Sequence, residues 1–301
     1  MNPTPNATPN HARRFRQVDV FTETACLGNP LAVVLDAEGL DADAMQRFAR
    51  WTNLSETTFV LPPTDPAADY ALRIFTPGGE LPFAGHPTLG SCFAWLAAGG
   101  QPKWADRIVQ QCAKGLIPIR RDGERLAFAA PPSVRSDPAQ ALGVEPTPIV
   151  RAQRLDNGPV WLTLQLDSAD TVLALEPDHA RLAALGQKVG VIGVYPAPSA
   201  IELVSRSSRE ARAFGAPPPA PLIEVRAFAA PVGVPEDPVT GSLNASLAQW
   251  LIEAGELPPR YVAAQGTALG RAGRVHVERD AEGQVWIGGD CVGVIQGQVT
   301  L

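Results

Sequence analysis

Cysteine and histidine are scarce, with four of each in 301 residues. Cys26, Cys92, Cys112 and Cys291 share no paired spacing and form no Cys-x-x-Cys unit. That excludes a legible disulfide framework and makes reduced thiols in a cytoplasmic protein the expectation. The histidines are equally dispersed, which argues against a zinc centre, and no metal is called for. No apolar run reaches the 18 or so residues of a membrane-spanning helix, and the first residues do not resemble a secretory signal. Positive charge is in deficit: 25 Lys and Arg stand against 31 Asp and Glu, a net charge of −6 with pI near 5.3. Nucleic acid and anionic membrane are therefore poor partners. A glycine-rich loop followed by lysine, the usual cradle for nucleotide phosphates, is also missing.

What the chain does have is ordinary apolar content, 45%, and enough length for one large or two medium domains. Its 30 prolines are scattered between apolar segments and form no low-complexity block. Residues 1–14 are polar and proline-rich and read as a loose tail.

Two short stretches organise the rest. Glu236-Asp237-Pro238-Val239-Thr240-Gly241-Ser242 opens the apolar run Leu243 to Leu251. Asp237 reads as a helix N-cap with Pro238 in the first helical position, where a missing N–H costs nothing. Gly241 leaves the first turn bare, so a ligand could approach the backbone. Gly85-His86-Pro87-Thr88-Leu89-Gly90-Ser91 aligns with this stretch at a constant offset, since 237 − 86, 238 − 87 and 241 − 90 all equal 151. Both copies open helix-length apolar segments, and the repetition predicts two related half-domains, 15–132 and 149–301. The last C-terminal strand is a candidate to return to the first half. Ser133 to Pro148 reads as the crossover.

Short strands are predicted at Phe15–Phe21, Leu31–Leu35, Thr57–Leu61, Tyr70–Phe75, Arg107–Cys112, Leu116–Arg120 and Arg125–Ala129. The second half adds Val160–Leu166, Thr171–Leu175, Val189–Tyr195, Ile201–Ser205, Ile223–Phe228, Arg274–Glu278, Gln284–Ile287 and Val292–Gln296. Helices are predicted at Leu40–Thr52, Pro87–Ala98, Pro177–Lys188 and from Pro238. The expected class is α+β: two pseudo-symmetric units, each a barrel-like mixed sheet around one central helix. Both helix N-termini would then face one cleft. Free N–H groups and the positive end of the helix dipole favour an anion there, a small carboxylate before a phosphate.

These motifs resemble the phenazine-biosynthesis PhzF-like family, which has the diaminopimelate epimerase fold. The resemblance is carried by Phe21 with Gly28-Asn29-Pro30, by Asn53-Leu54-Ser55-Glu56-Thr57-Thr58-Phe59-Val60, and by Phe75-Thr76-Pro77 with Glu80. It continues in Phe83-Ala84-Gly85-His86-Pro87-Thr88-Leu89-Gly90 and Glu236-Asp237-Pro238-Val239-Thr240-Gly241-Ser242. The resemblance implies a cofactor-independent isomerase, a homodimer, and an active site between the two units. It makes Glu56 the proton-transferring residue and places His86 and Asp237 in the substrate pocket. Gly85, Thr240, Gly241, Ser242 and Asn29 become substrate-binding candidates. The cysteine-dependent epimerases of this fold carry a cysteine at each helix start, where this chain has His86 and Asp237, so a two-thiol mechanism is not expected.

A single carboxyl can move a proton between carbons if a poorly solvated site raises its pKa toward neutrality. Beside Leu54 and Phe59, Glu56 suits that description, with Glu80 in reserve as a structural residue. His11, His179 and His276 have weak claims, and Cys26 reads as packing. Three functions stay open: double-bond isomerisation on a small carboxylate of the trans-2,3-dihydro-3-hydroxyanthranilate type, epimerisation with Glu56 and His86 as opposed acid and base, and carboxylate binding without turnover.

Overall fold

The computed structural model describes residues 11–136, 149–196 and 219–301. The first half runs β1 (Ala12–Val20), β2 (Asn29–Val34), α1 (Ala42–Thr52), β3 (Thr57–Leu61), β4 (Tyr70–Thr76), β5 (Gly79–Leu81) and α2 (Gly85–Ala97). It continues through β6 (Arg107–Cys112), β7 (Gly115–Asp122), β8 (Arg125–Ala129) and β9 (Val134–Ser136). The second half runs β10 (Ile149–Asp156), β11 (Val160–Leu166), α3 (Ala169–Leu173), α4 (His179–Ala184), β12 (Lys188–Val194), β13 (Ile223–Ala229) and β14 (Val234–Asp237). After α5 (Gly241–Glu253) come β15 (Arg260–Gln265), β16 (Gly273–Arg279), β17 (Val285–Gly289) and β18 (Cys291–Thr300).

Strand pairing repeats when nine is added to each number. β1–β2 is antiparallel, β2–β3 parallel, β3–β4 antiparallel and β4–β6 parallel, with β5 antiparallel on β4. β10–β11, β11–β12, β12–β13, β13–β15 and β13–β14 follow the same sequence of directions. β8 pairs with β17, while β18 pairs with β1 and β9 with β10, so the last strand of each half lies against the first strand of the other. Mixed sheet with few helices makes the class α+β.

The two 13-residue helices α2 and α5 are apolar nearly all round, and such helices belong in a core. α2 packs against β1, β2, β3 and β8, α5 against β10, β16 and β17, and the helices touch each other. Gly90 permits the packing of α2: a Cβ there would lie 2.7–3.0 Å from the side chains of Leu31, Val20 and Val18. α1 is a surface helix, capped by Asp41 Oδ1, which accepts from the Ala44 N–H at 2.7 Å. Its end is set by Asn53, whose φ of 53° is left-handed, a conformation asparagine tolerates better than most residues.

Several sequence expectations need correction. β1 starts at Ala12, inside the stretch read as tail. Thr171–Leu175 is not a strand: α3 forms there because Ser168 Oγ caps it, accepting from the Thr171 N–H at 3.1 Å. A five-residue apolar run carries no period that separates strand from helix, and the cap decides. Helix is confined to His179–Ala184 within the predicted Pro177–Lys188, and Lys188 begins β12 instead. β5, β9, β10, β14 and β15 answer to no expected strand, and β9 falls within the stretch read as the crossover. The predicted strand Ile201–Ser205 lies outside the described residues.

Candidate active site

Both core helices begin later or earlier than their caps suggested. α5 starts at Gly241, four residues beyond Asp237, so Asp237 is the last residue of β14 and Pro238 is not in the first helical turn. α2 starts at Gly85, which places His86 inside the first turn and not at the cap. Neither N-terminus carries a side-chain cap. The structural offset is 241 − 85 = 156, not 151. Thr88 Oγ1 donates to Ala84 O and Asn244 Nδ2 to Thr240 O, both at 2.9 Å, and 244 − 88 is again 156. His86 is thus matched by Ser242, and the Pro-x-x-Gly-Ser alignment was a coincidence of spacing.

The chain nevertheless gathers its candidates. Gly28 cannot bear a side chain, because a Cβ would sit 2.2 Å from Val20 O; its N–H donates to Asp19 Oδ2 at 3.0 Å. This close return along β1 delivers Asn29 to the centre of the site, fully buried. Asn29 Nδ2 donates to Asp237 Oδ1 at 2.7 Å and to Val239 O at 2.8 Å, with His86 Nδ1 further off at 3.3 Å. An amide has two hydrogens, and the two shorter contacts use both. Asn29 Oδ1 accepts from Ser55 Oγ at 3.4 Å. Thr240 Oγ1 donates to Asp237 Oδ2 at 2.7 Å, so both oxygens of Asp237 are held.

Glu56 stands three residues past the Asn53 cap and just before β3. Its Oε2 is 3.5 Å from His86 Nδ1, long for a hydrogen bond. Glu56 Oε2 and His86 Nε2 are buried without a hydrogen-bond partner among the described residues, whereas Asp237 is fully engaged. Burial, then the nearby Asp237, pushes the Glu56 carboxyl up to about 8; the Ser55 hydrogen bond and Lys188 oppose this. Asp237 is also raised by burial, but less, because Thr240, Asn29 and Lys188 favour its charged form. Burial pushes His86 down to about 3, so its imidazole is neutral at ordinary pH. Two neighbouring carboxyls in unequal surroundings, one satisfied and one not, are the pattern of an acid/base site.

Glu56, Asp237, Thr240 and Ser242 line one narrow cavity of ≈ 40 Å³ together with Ser55, Trp161 and Lys188. Larger clefts of ≈ 500 and ≈ 520 Å³ lie elsewhere, but neither includes Glu56 or Asp237. Asn29 and His86 do not line the cavity; they touch its carboxyls. Gly85 and Gly241 lie against each other. Glu80 is tied to Arg73 by two bonds of 2.7 Å on the sheet surface, a structural pair. Cys26 is exposed and Cys92 buried in the core.

Sequence reasoning missed four contributors. Gln265 accepts from the Thr240 N–H at 2.9 Å and donates to Asp237 O at 3.1 Å and Thr240 Oγ1 at 2.9 Å, bracing the turn before α5. Arg226 holds Glu236 by bonds of 2.9 and 2.8 Å, both side chains nearly buried, and so fixes the residue beside Asp237. Trp161 Nε1 donates to Ser242 Oγ at 3.3 Å. Lys188 Nζ sits 5.6 Å from the centre of the Trp161 ring. The available signal for Lys188 was one lysine opening an otherwise apolar run, Val-Gly-Val-Ile-Gly-Val.

This fold is an epimerase-like one: the chain superposes on a hydroxyproline epimerase of Agrobacterium vitis with TM-score 0.63 at 14% identity, covering 96% of this chain and 93% of the other. It superposes more closely on a PhzF-family phenazine biosynthesis protein of Bacillus anthracis, with TM-score 0.75 at 22% identity over 97% and 100% of the two chains. The model of the phenazine biosynthesis-like protein family, PhzC-PhzF, matches residues 18–297, and the chain belongs to that family of isomerases. It is 35% identical to antisense-enhancing sequence 1 of Schizosaccharomyces pombe, over 94% of this chain and 97% of the relative. It is 32% identical to the trans-2,3-dihydro-3-hydroxyanthranilate isomerase of Pseudomonas aeruginosa, over 90% and 92%. Among the described residues no helix is long and apolar enough to cross a membrane.

Proposed function

We propose that the protein moves a proton, and with it a double bond, between carbons of a small carboxylate, using Glu56 as the single acid/base group. The observation that carries this reading is the buried Glu56 Oε2 without a hydrogen-bond partner among the described residues, beside an Asp237 whose oxygens are both occupied. The ionised Glu56 takes a proton from one carbon, the electron pair shifts along the unsaturated system, and the resulting carboxylic acid returns the proton to another carbon. A carboxyl with pKa near the working pH serves both half-steps. The free N-termini of α2 and α5 suit the substrate carboxylate, and the strand repeat supports two related half-domains around them. The proposed steps use only groups of this chain, and the likeness to the trans-2,3-dihydro-3-hydroxyanthranilate isomerase of Pseudomonas aeruginosa supports an anthranilate type of substrate.

Epimerisation between Glu56 and His86 is poorly supported. Their nearest atoms are 3.5 Å apart, which leaves no room for a carbon between them. A cavity of ≈ 40 Å³ is also too small for a six-membered ring, so its walls must separate before substrate enters. Incubation of trans-2,3-dihydro-3-hydroxyanthranilate and related unsaturated carboxylates in D₂O tests the reading. Isomerised product carrying solvent deuterium, lost in Glu56→Gln, is expected; turnover that survives in Glu56→Gln would remove this residue from the chemistry.

A further inference from the structure

Among the described residues three ionisable side chains line the cavity, and of these only Lys188 is cationic. It enters from the start of β12, where it is registered against Trp161 of β11 in parallel pairing. In the first half the corresponding parallel pair begins Ala32 with Thr57, the residue directly after Glu56. The start of β3 and the start of β12 are equivalent places in the strand repeat. One supplies the unsatisfied carboxyl and the other a cation, to the same small cavity.

The position of Lys188 is built and not incidental. Its ammonium lies over the Trp161 ring, the indole N–H bonds Ser242 Oγ, and Ser242 is the second residue of α5. Trp161 is itself buried, and Asn157 Nδ2 secures the Ser242 carbonyl at 2.9 Å. Lys188 makes no ion pair among the described residues. Its charge is disfavoured by partial burial and supported by Glu56 and Asp237. A cation that is partly desolvated, held in place by its strand and an aromatic platform, and in no direct ion pair among the described residues has capacity for an anionic oxygen.

We infer that Lys188 is a specificity-determining residue: its ammonium, beside Ser242 at the mouth of α5, selects a carboxylate over an uncharged isostere. This rests on the small-carboxylate reading above and adds the group that enforces it. With Glu56 ionised, as the proposed proton abstraction requires, Glu56 and Asp237 outnumber Lys188 in the cavity, so an incoming carboxylate depends on both the helix ends and the lysine.

The test uses 2-aminobenzoate and 2-aminobenzamide as probes, measured by calorimetry on the full chain, wild type against Lys188→Met and Lys188→Arg. Wild type should prefer the carboxylate by about ten- to hundredfold, the usual gain of a charge-assisted bond. Lys188→Met should lose that preference while keeping its affinity for the amide and its melting temperature, and Lys188→Arg should restore most of it. An unchanged ratio in Lys188→Met would overturn the role of Lys188 and leave the small-carboxylate reading standing. If neither probe binds wild type, or wild type shows no preference, the carboxylate reading itself fails and Lys188 falls with it.

Discussion

Gly85 and Gly241 meet so closely that a Cβ built on either would lie 2.9 Å from the Cα of the other. These are the first residues of the two core helices, so the contact sets how near the two N-termini come. A side chain at 241 would also lie 3.1 Å from the Gly85 carbonyl carbon and the His86 nitrogen, all backbone atoms that cannot swing aside.

Gly241→Ala is therefore expected to destabilise the fold by about 1–3 kcal/mol through overpacking, before any effect on ligand binding. Urea unfolding midpoints for Gly85→Ala, Gly241→Ala and the double variant would check it. The two single losses should not add, because either methyl already forces the helices apart. Stability within about 0.5 kcal/mol of wild type would mean the helix ends are looser than this contact implies.

Much of this arrangement was legible in the chain because local rules agreed with the fold. Asp41 and Asn53 delimit α1 as a cap and a left-handed residue should, and the apolar runs of α2 and α5 could only be core. What was illegible depended on contacts distant in sequence. Asp237 looks like a cap, yet Asn29, 208 residues earlier, and Gln265 hold it at a strand end. Lys188 looked like a helix terminus until β11 paired with it. The false offset of 151 arose because proline, glycine and serine recur in turns for reasons unrelated to symmetry.

Stability should depend on pH through Glu56. Its folded pKa is raised above the unfolded value, so the folded state holds the proton more tightly, and stability present below pH 4.5 is lost as pH rises toward 8. Glu56→Gln removes that loss. The variant should gain on wild type by roughly 3–4 kcal/mol between pH 5 and 8, read from denaturant midpoints. Parallel stability curves for the two proteins would show that Glu56 is well solvated.

Arg226 and Glu236 form a buried pair in which Arg226 Nη1 also donates to Leu175 O at 2.7 Å. Glu236→Ala strands the guanidinium in the core and should cost about 3–5 kcal/mol. Replacing both residues by apolar ones of similar size should cost far less. A mild effect of the single variant, by thermal unfolding, would mean that water reaches Arg226.

The thiols should be dispensable. Cys26 is exposed, while Cys92 is buried with its thiol pushed up to about 12, far from a reactive thiolate. Iodoacetamide at pH 8 should label Cys26 readily and leave isomerisation unchanged. Loss of activity in step with labelling would point to a thiol in the chemistry.

Asn29 controls the charge of its neighbour. Its amide hydrogen bond to Asp237 Oδ1 is one of the interactions that restrain the rise in the Asp237 pKa, alongside those of Thr240 and Lys188. In Asn29→Ala that donor is gone while burial stays, so the carboxyl climbs further and is protonated at higher pH. If ionised Asp237 is needed to orient the substrate, the lower step on the acid limb of kcat/KM, set by Asp237, moves to higher pH by about one unit, while the higher step, where Glu56 loses its proton, moves little. The same substitution strands Val239 O, with about 1–3 kcal/mol of stability lost. A uniformly lower profile without displacement of its acid limb would show that Asn29 supports the fold without tuning Asp237. Asn29→Asp completes the test: a third carboxyl against Asp237 and near Glu56 raises the group further by like-charge repulsion, and its acid limb should lie beyond that of Asn29→Ala.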